Sequence, residues 1–169
     1  MAARFREGEG MPRIRVYYAD WQMECCGTPF AVGDEIAWRL VPAAEEDDCY
    51  GADAWVENHG GPGRATVGRV RGIDLVHQEF LARHDPRTVA PPAAAPGAVV
   101  FVAAGRELEP VPGALTLEPV DACPEWFGAF EREEQPPRRV PYRVRRAVGV
   151  LVTLGTSPDG TPPHPGDLR

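Results

Sequence analysis

The sequence predicts an all-β domain: a small, partly open barrel of SH3-like or OB-like character with one or two short helices. Three observations lead there. Apolar and polar residues alternate with period two in several short runs, the pattern of half-buried strands. Glycine and proline, 18 and 19 of 169 residues, punctuate the chain too densely for long helices. One run is interrupted by glycines, as happens where strands bend to close a small barrel.

Residues 13–20 alternate cleanly, with Ile14, Val16 and Tyr18 on one face and Arg13, Arg15 and Tyr17 on the other. A Gly33-Asp34 turn then starts a second strand over 35–41, with Ile36, Trp38 and Leu40 inward. The acidic stretch 43–58 is expected to hold a short helix, because Asp53 to His59 runs into Gly60-Gly61 like a last turn stopped by glycine. Its Trp55 would anchor it to the core. Over 65–80 a strand is expected with a bulge, since Val67 and Val70 cannot share a face and Gly68 and Gly72 break the run. Ile73, Leu75 and His77 would line one face, Val76 and Phe80 the other. Residues 85–97, rich in Pro and Ala, read as a loop, and 98–103 as a buried strand. Leu115 and Leu117 mark a further short strand, 121–135 a short helix or packed loop, and 142–154 the last strong strand. There Val148, Val150, Val152 and Leu154 share a face after a phase slip at Arg145-Arg146. Residues 1–12 read as a disordered extension, 13–154 as the single domain and 155–169 as a disordered tail. Translation is expected to begin at Met11, because the codons for the residues just before it resemble a translated ribosome-binding site.

A net charge of −7 and a pI near 5.1 argue against broad, charge-driven binding to nucleic acid or to anionic membranes. All 18 basic residues are arginine, which reflects a GC-rich coding sequence rather than a function. No apolar run approaches the roughly 18 residues of a spanning helix, and the first ten residues lack the apolar core of a signal peptide. A cytoplasmic setting is therefore expected, in which thiols stay reduced. Cysteines 25, 26, 49 and 123 then read as free thiols or metal ligands.

The run from Asp20, Asp-Trp-Gln-Met-x-Cys-Cys-Gly-x-Pro-Phe-x-Val-Gly-Asp, together with His59-Gly-Gly and Val76-His77, resembles a family of small proteins from high-GC Gram-positive bacteria. That family is catalogued as a domain of unknown function, and the resemblance spans roughly residues 14–154. It implies no activity. Its members tend to carry two histidines before the Gly-Gly, where this chain has Asn58-His59.

Three functional expectations follow from the residues. The leading one is a non-enzymatic binding or interaction module for a protein partner, using loops at one barrel end where Trp21, the Cys-Cys-Gly turn, His59 and His77 converge. A second is zinc. Cys25, Cys26, His59 and His77 form a two-Cys, two-His set of the soft-to-borderline ligands that tetrahedral zinc takes, provided that Cys-Cys-Gly turns so both sulfurs face one ion. A zinc- or thiol-dependent enzyme would use the same residues, with a cysteine activated by His59 and oriented by Asp20 or Asp53. The third is single-stranded nucleic acid held along an Arg-rich strand of Arg138, Arg139, Tyr142, Arg143, Arg145 and Arg146. Glu131, Glu133 and Glu134 just upstream favour instead a salt-bridged edge that blocks aggregation. The acid run at 45–48 lacks EF-hand spacing and reads as a solvated loop. No P-loop, dinucleotide fingerprint, Gly-x-Ser-x-Gly elbow or His-Glu-x-x-His motif occurs.

Overall fold

The computed structural model describes residues 12–83 apart from positions 48 and 62, then 107–134 and 140–156. Within these residues the chain is mostly strand, and its single sheet curls into a nearly closed barrel. The strands in chain order are β1 (Arg13–Ala19), β2 (Glu35–Trp38), β3 (Leu40–Pro42), β4 (Ala54–Val56), β5 (Thr66–Ala82), β6 (Leu108–Val120), β7 (Arg132–Glu133) and β8 (Tyr142–Thr156). A seven-residue helix, α1 (Asp20–Cys26), follows β1, and a 3₁₀ turn spans Phe127–Phe130. The strand order is β2-β5-β8-β1-β4-β3, with β6 added to the β5 edge and β7 to the β8 edge.

Closure comes from the segment expected to be one strand. Its first half, β2, pairs with β5, and its second half, β3, pairs with β4, so it breaks at Arg39 where it changes partner. A single residue thereby joins the two ends of the six-strand path. The long β5 and β8 form the spine, and their register shifts between Val70 and Gly72 and again between Val76 and His77. The first shift is the bulge that the Val67/Val70 mismatch foretold. The second leaves Val148 as the extra residue on β8, where its carbonyl accepts the Tyr17 hydroxyl at 2.6 Å. Val148 is accordingly half-buried, unlike Val150, Val152 and Leu154 on the same strand.

The core fills the barrel with Val16, Tyr18, Val56, Val70, Ile73, Leu75, Val150, Val152 and Leu154, closed by Met23 of α1, Phe30 and Phe127. Both faces of mid-β5 are covered, so Val76, His77 and Gln78 are buried beside Leu75. A smaller cluster of Ala82, Tyr142 and Val144 packs with Leu108. Gly149 has φ of +149°, and a Cβ there would strike the Tyr18 carbonyl of β1, so only glycine lets β8 lie this close to the point where β1 gives way to α1.

The expected helix before Gly60 is absent. Residues 54–56 are β4, paired in parallel with β1 and antiparallel with β3. Trp55 and Val56 are good strand formers, and two flanking strands satisfy their backbone groups better than one helical turn could. The helix lies instead at 20–26, a stretch without a β-branched residue and with acid at its start. The strand expected at 98–103, the loop at 85–97 and residues 1–11 and 157–169 lie outside the described residues, whereas Gly155 and Thr156, expected in a disordered tail, complete β8.

Candidate metal centre

The site begins with α1. Seven residues are too few to hold a helix by propensity, so tertiary packing supports it. Gln22 and Met23 are buried on its inner face, and Glu24 Oε1 accepts the Phe127 N–H at 2.8 Å, tying the helix to the 3₁₀ turn. Gly27 ends it, with its N–H on the Met23 carbonyl at 2.9 Å; a Cβ at Gly27 would land on the Met23 backbone. At helical spacing Trp21 and Cys25 share one face, while Cys26 stands next to it in the last turn. Both cysteines are exposed.

The loop after β4 brings the histidine. Gln22 Oε1 accepts the Asn58 N–H at 2.9 Å, and Asn58 Nδ2 donates to the Tyr18 hydroxyl at 2.6 Å. Burial pushes the Tyr18 phenol above its ordinary value, so it stays a neutral partner for that amide. Position 58 thus works as the clamp that fixes its neighbour. His59 stacks on Trp21 with ring centroids 5.3 Å apart and planes 18° from parallel. Glu57 Oε1 accepts the His59 N–H at 2.7 Å and stands 3.4 Å from Nδ1.

This leaves His59 Nε2 facing the sulfurs, 4.0 Å from Cys25 Sγ and 3.9 Å from Cys26 Sγ, with the sulfurs 2.6 Å apart. The three ligand atoms all lie within 4.8 Å of one another. On one tetrahedral zinc, bonds of about 2.3 Å to sulfur and 2.0–2.1 Å to nitrogen place sulfur and nitrogen about 3.6 Å apart and the two sulfurs about 3.8 Å apart. The sulfur–nitrogen distances are close to that. The sulfur pair must spread by about 1 Å, which rotation of either exposed side chain provides. A carboxylate near the second ring nitrogen, here Glu57 Oε1 at 3.4 Å from Nδ1, is the placement common behind metal-bound histidines. Sharing a hydrogen bond with Cys25 pushes the Cys26 thiol above its ordinary value, and a metal bound there would displace that proton.

Other expected site residues lie elsewhere. His77 is not brought to the cysteines: it is 3% exposed on β5, and its Nε2 bonds Glu118 Oε2 at 2.7 Å. Asp53 and Asp20 do not orient His59. Asp53 Oδ2 accepts the Arg15 N–H at 2.8 Å, and Asp20 sits at the start of α1, so the orienting carboxylate is Glu57, which the sequence reading missed. Cys49 and Cys123 are buried, and burial pushes the Cys123 thiol up to about 12. Tyr142 is 2% exposed and has no face to offer a base, which corrects its assignment to a binding strand. Arg143 pairs with Glu79, Arg145 donates to Thr116 Oγ1 at 3.0 Å and Arg146 lies 3.3 Å from Glu131, while Arg138 and Arg139 lie outside the described residues. Asp47 Oδ2 accepts the Ala44 N–H at 2.8 Å, as in an ordinary loop turn.

Fold and site together define a small all-β barrel protein with a Cys-Cys-His group on its rim. The chain belongs to a family of unknown function, DUF6578, whose family model matches residues 12–156. No curated protein and no solved structure matches it. Among the described residues no helix is long and apolar enough to cross a membrane.

Proposed function

We propose that this protein binds zinc through Cys25, Cys26 and His59, with a fourth coordination position left open. The observation that carries this reading is the convergence of two exposed sulfurs and one imidazole nitrogen within 4.8 Å, with Glu57 behind the imidazole. Two thiolates and one neutral imidazole suit zinc in charge and softness. Three protein ligands with a vacant fourth position are the pattern of zinc sites that act on a ligand or a water, whereas purely structural sites close all four. The barrel carries its own core, so the ion serves binding or chemistry at the rim rather than folding.

The test is metal analysis on the full chain purified without chelator, alongside the Cys25→Ser/Cys26→Ser variant. Stoichiometric zinc in the first and its loss in the second is the expected result. A thiolate-to-metal charge-transfer band on cobalt substitution would report the sulfur ligands directly. Absence of stoichiometric metal after zinc is offered, with both thiols reduced, ends the proposal.

A further inference from the structure

Cys25 and Cys26 are neighbours in sequence, both exposed, and their sulfurs stand 2.6 Å apart. The other two thiols, Cys49 and Cys123, are buried. A sulfenic acid formed on either rim sulfur therefore meets its neighbour's thiol first. His59 Nε2, 4.0 and 3.9 Å from the two sulfurs, is a base placed to take a thiol proton. Sharing a hydrogen bond with Cys25 raises the Cys26 thiol, so attack falls to Cys25 and ring closure to Cys26. The peptide between them belongs to the last turn of α1, and just beyond it Gly27 is already extended, with φ of −75° and ψ of 154°. Any twist that a ring of the two residues demands is thus confined to a helix end.

We infer that Cys25 and Cys26 form a reversible thiol–disulfide switch, closed by hydroperoxides, that turns the metal site off. In the first step the Cys25 thiol gives its proton to His59 and its sulfur attacks the outer oxygen of the hydroperoxide. The O–O bond breaks, and the alkoxide leaves with that proton as an alcohol. In the second, the Cys26 sulfur attacks the sulfenic acid on Cys25; an S–S bond forms, and the hydroxyl leaves as water with the Cys26 proton. Two thiols and one hydroperoxide become one disulfide, one alcohol and one water, with two electrons passing from sulfur to oxygen. Reversal has a physical source. Adjacent Cα atoms lie about 3.8 Å apart across a trans peptide, short of the roughly 4.4–6.8 Å that disulfides prefer, so the ring is strained and easily reduced. Strained, exposed disulfides are the labile, regulatory ones. A disulfide offers no thiolate, so the ring and a zinc ion on the same sulfurs exclude each other. Only this last consequence rests on the zinc reading.

The full chain, reduced and stripped of metal by a chelator, is treated with an equimolar amount of hydrogen peroxide at low protein concentration. Cleavage after arginine puts Cys25 and Cys26, and no other cysteine, in the peptide 16–39. That peptide is expected to lose two hydrogens and both of its iodoacetamide-reactive thiols, and millimolar glutathione should restore both. Cys26→Ser should instead gain the oxygen of a sulfenic or sulfinic acid, and neither Cys25→Ser nor Cys26→Ser, both at exposed positions, should lose two hydrogens within one chain. The same treatment of the zinc-loaded chain should release its metal to a chromogenic chelator. A ring that closes in a chain which never takes up zinc leaves the switch standing and ends the zinc reading alone. Sulfinic acids, disulfides between chains or unreacted thiols in the unaltered chain overturn the switch, whether or not zinc binds. A ring that glutathione does not reopen overturns it as well, since nothing would then restore the site.

Discussion

His59 and His77 carry the same side chain, and each has a carboxylate beside it, yet they are built for opposite ends. His59 sits on a loop with its side chain 47% exposed, Glu57 3.4 Å from Nδ1 and two sulfurs facing Nε2. His77 lies in the sheet at 3% exposure with Nε2 on Glu118, the edge of Phe130 nearby and a buried Nδ1 that has no hydrogen bond among the described residues. A metal ligand needs a free nitrogen, room in front of it and other donors in reach. Only the first histidine has all three. The cysteines divide the same way, with Cys25 and Cys26 in solvent at the end of α1 and Cys49 and Cys123 inside. Residue type is therefore a poor guide in this chain; the element beneath each side chain decides.

The largest effect that would break this comparison is on metal affinity. His59→Ala should weaken zinc binding by about 100-fold or more, because the proposed site loses one of its three ligands. His77→Ala should leave zinc affinity unchanged in the same competition assay. It should instead lower unfolding stability by about 2 kcal/mol, the usual cost of emptying a packed site, measured by denaturant titration. If the two variants exchange these outcomes, the ligand set is wrong.

Next comes the residue behind the ring. Glu57→Gln keeps size and a hydrogen-bond acceptor for the His59 N–H but removes the negative charge 3.4 Å from Nδ1. It should cost about 10- to 100-fold in zinc affinity, in line with outer partners of other zinc histidines. Smaller in energy but simple to read is thiol labelling of the reduced, metal-free chain. Cys25 and Cys26 should react under native conditions, and Cys49 and Cys123 only in denaturant. For Cys123 this follows from burial, which leaves almost no thiolate near neutral pH.

How far these features could be read beforehand varies with how local they are. The β1 face of Val16 and Tyr18 and the bulge after Val70 were legible because alternation and its failure are written into consecutive residues. The Cys-Cys-His proximity was half legible, since residue types and a turn near Gly27 suggested it. The helix that makes it was not, because seven residues give barely two turns of periodicity. β4 was misread because glycines after Asn58-His59 mimic a helix stop, and a three-residue strand shows no alternation. Gln22, Asn58 and Glu57 were missed as a group, since their roles depend on a loop meeting a helix some 36 residues away. His77 could be told from His59 only once β6 supplied Glu118 beside it.

The smallest expected effect concerns the seam where the two regions meet, at Asp20 of α1 and Arg146 of β8. Burial of Asp20 raises its carboxyl above the ordinary range. The Trp21 N–H and Arg146 pull it back, and Glu24 adds to the rise. With the folded-state value above the unfolded value of about 3.9, the folded chain binds more protons across the interval between them. Stability from this group is then greatest below about pH 4, falls as pH rises through the folded value and stays lower above it. Asp20→Asn has no charge to bury, so it should gain on the unaltered chain as pH rises from about 4 toward neutral, and the two should converge in acid. Paired denaturant titrations across that range isolate the difference, because the carboxylates other than Glu24, which interacts with Asp20, contribute alike to both chains. A variant that loses ground as pH rises would mean that the Asp20 carboxylate is stabilised by Arg146 and the helix start more than it is penalised by burial. The anchoring of α1 would then rest on charge rather than on packing.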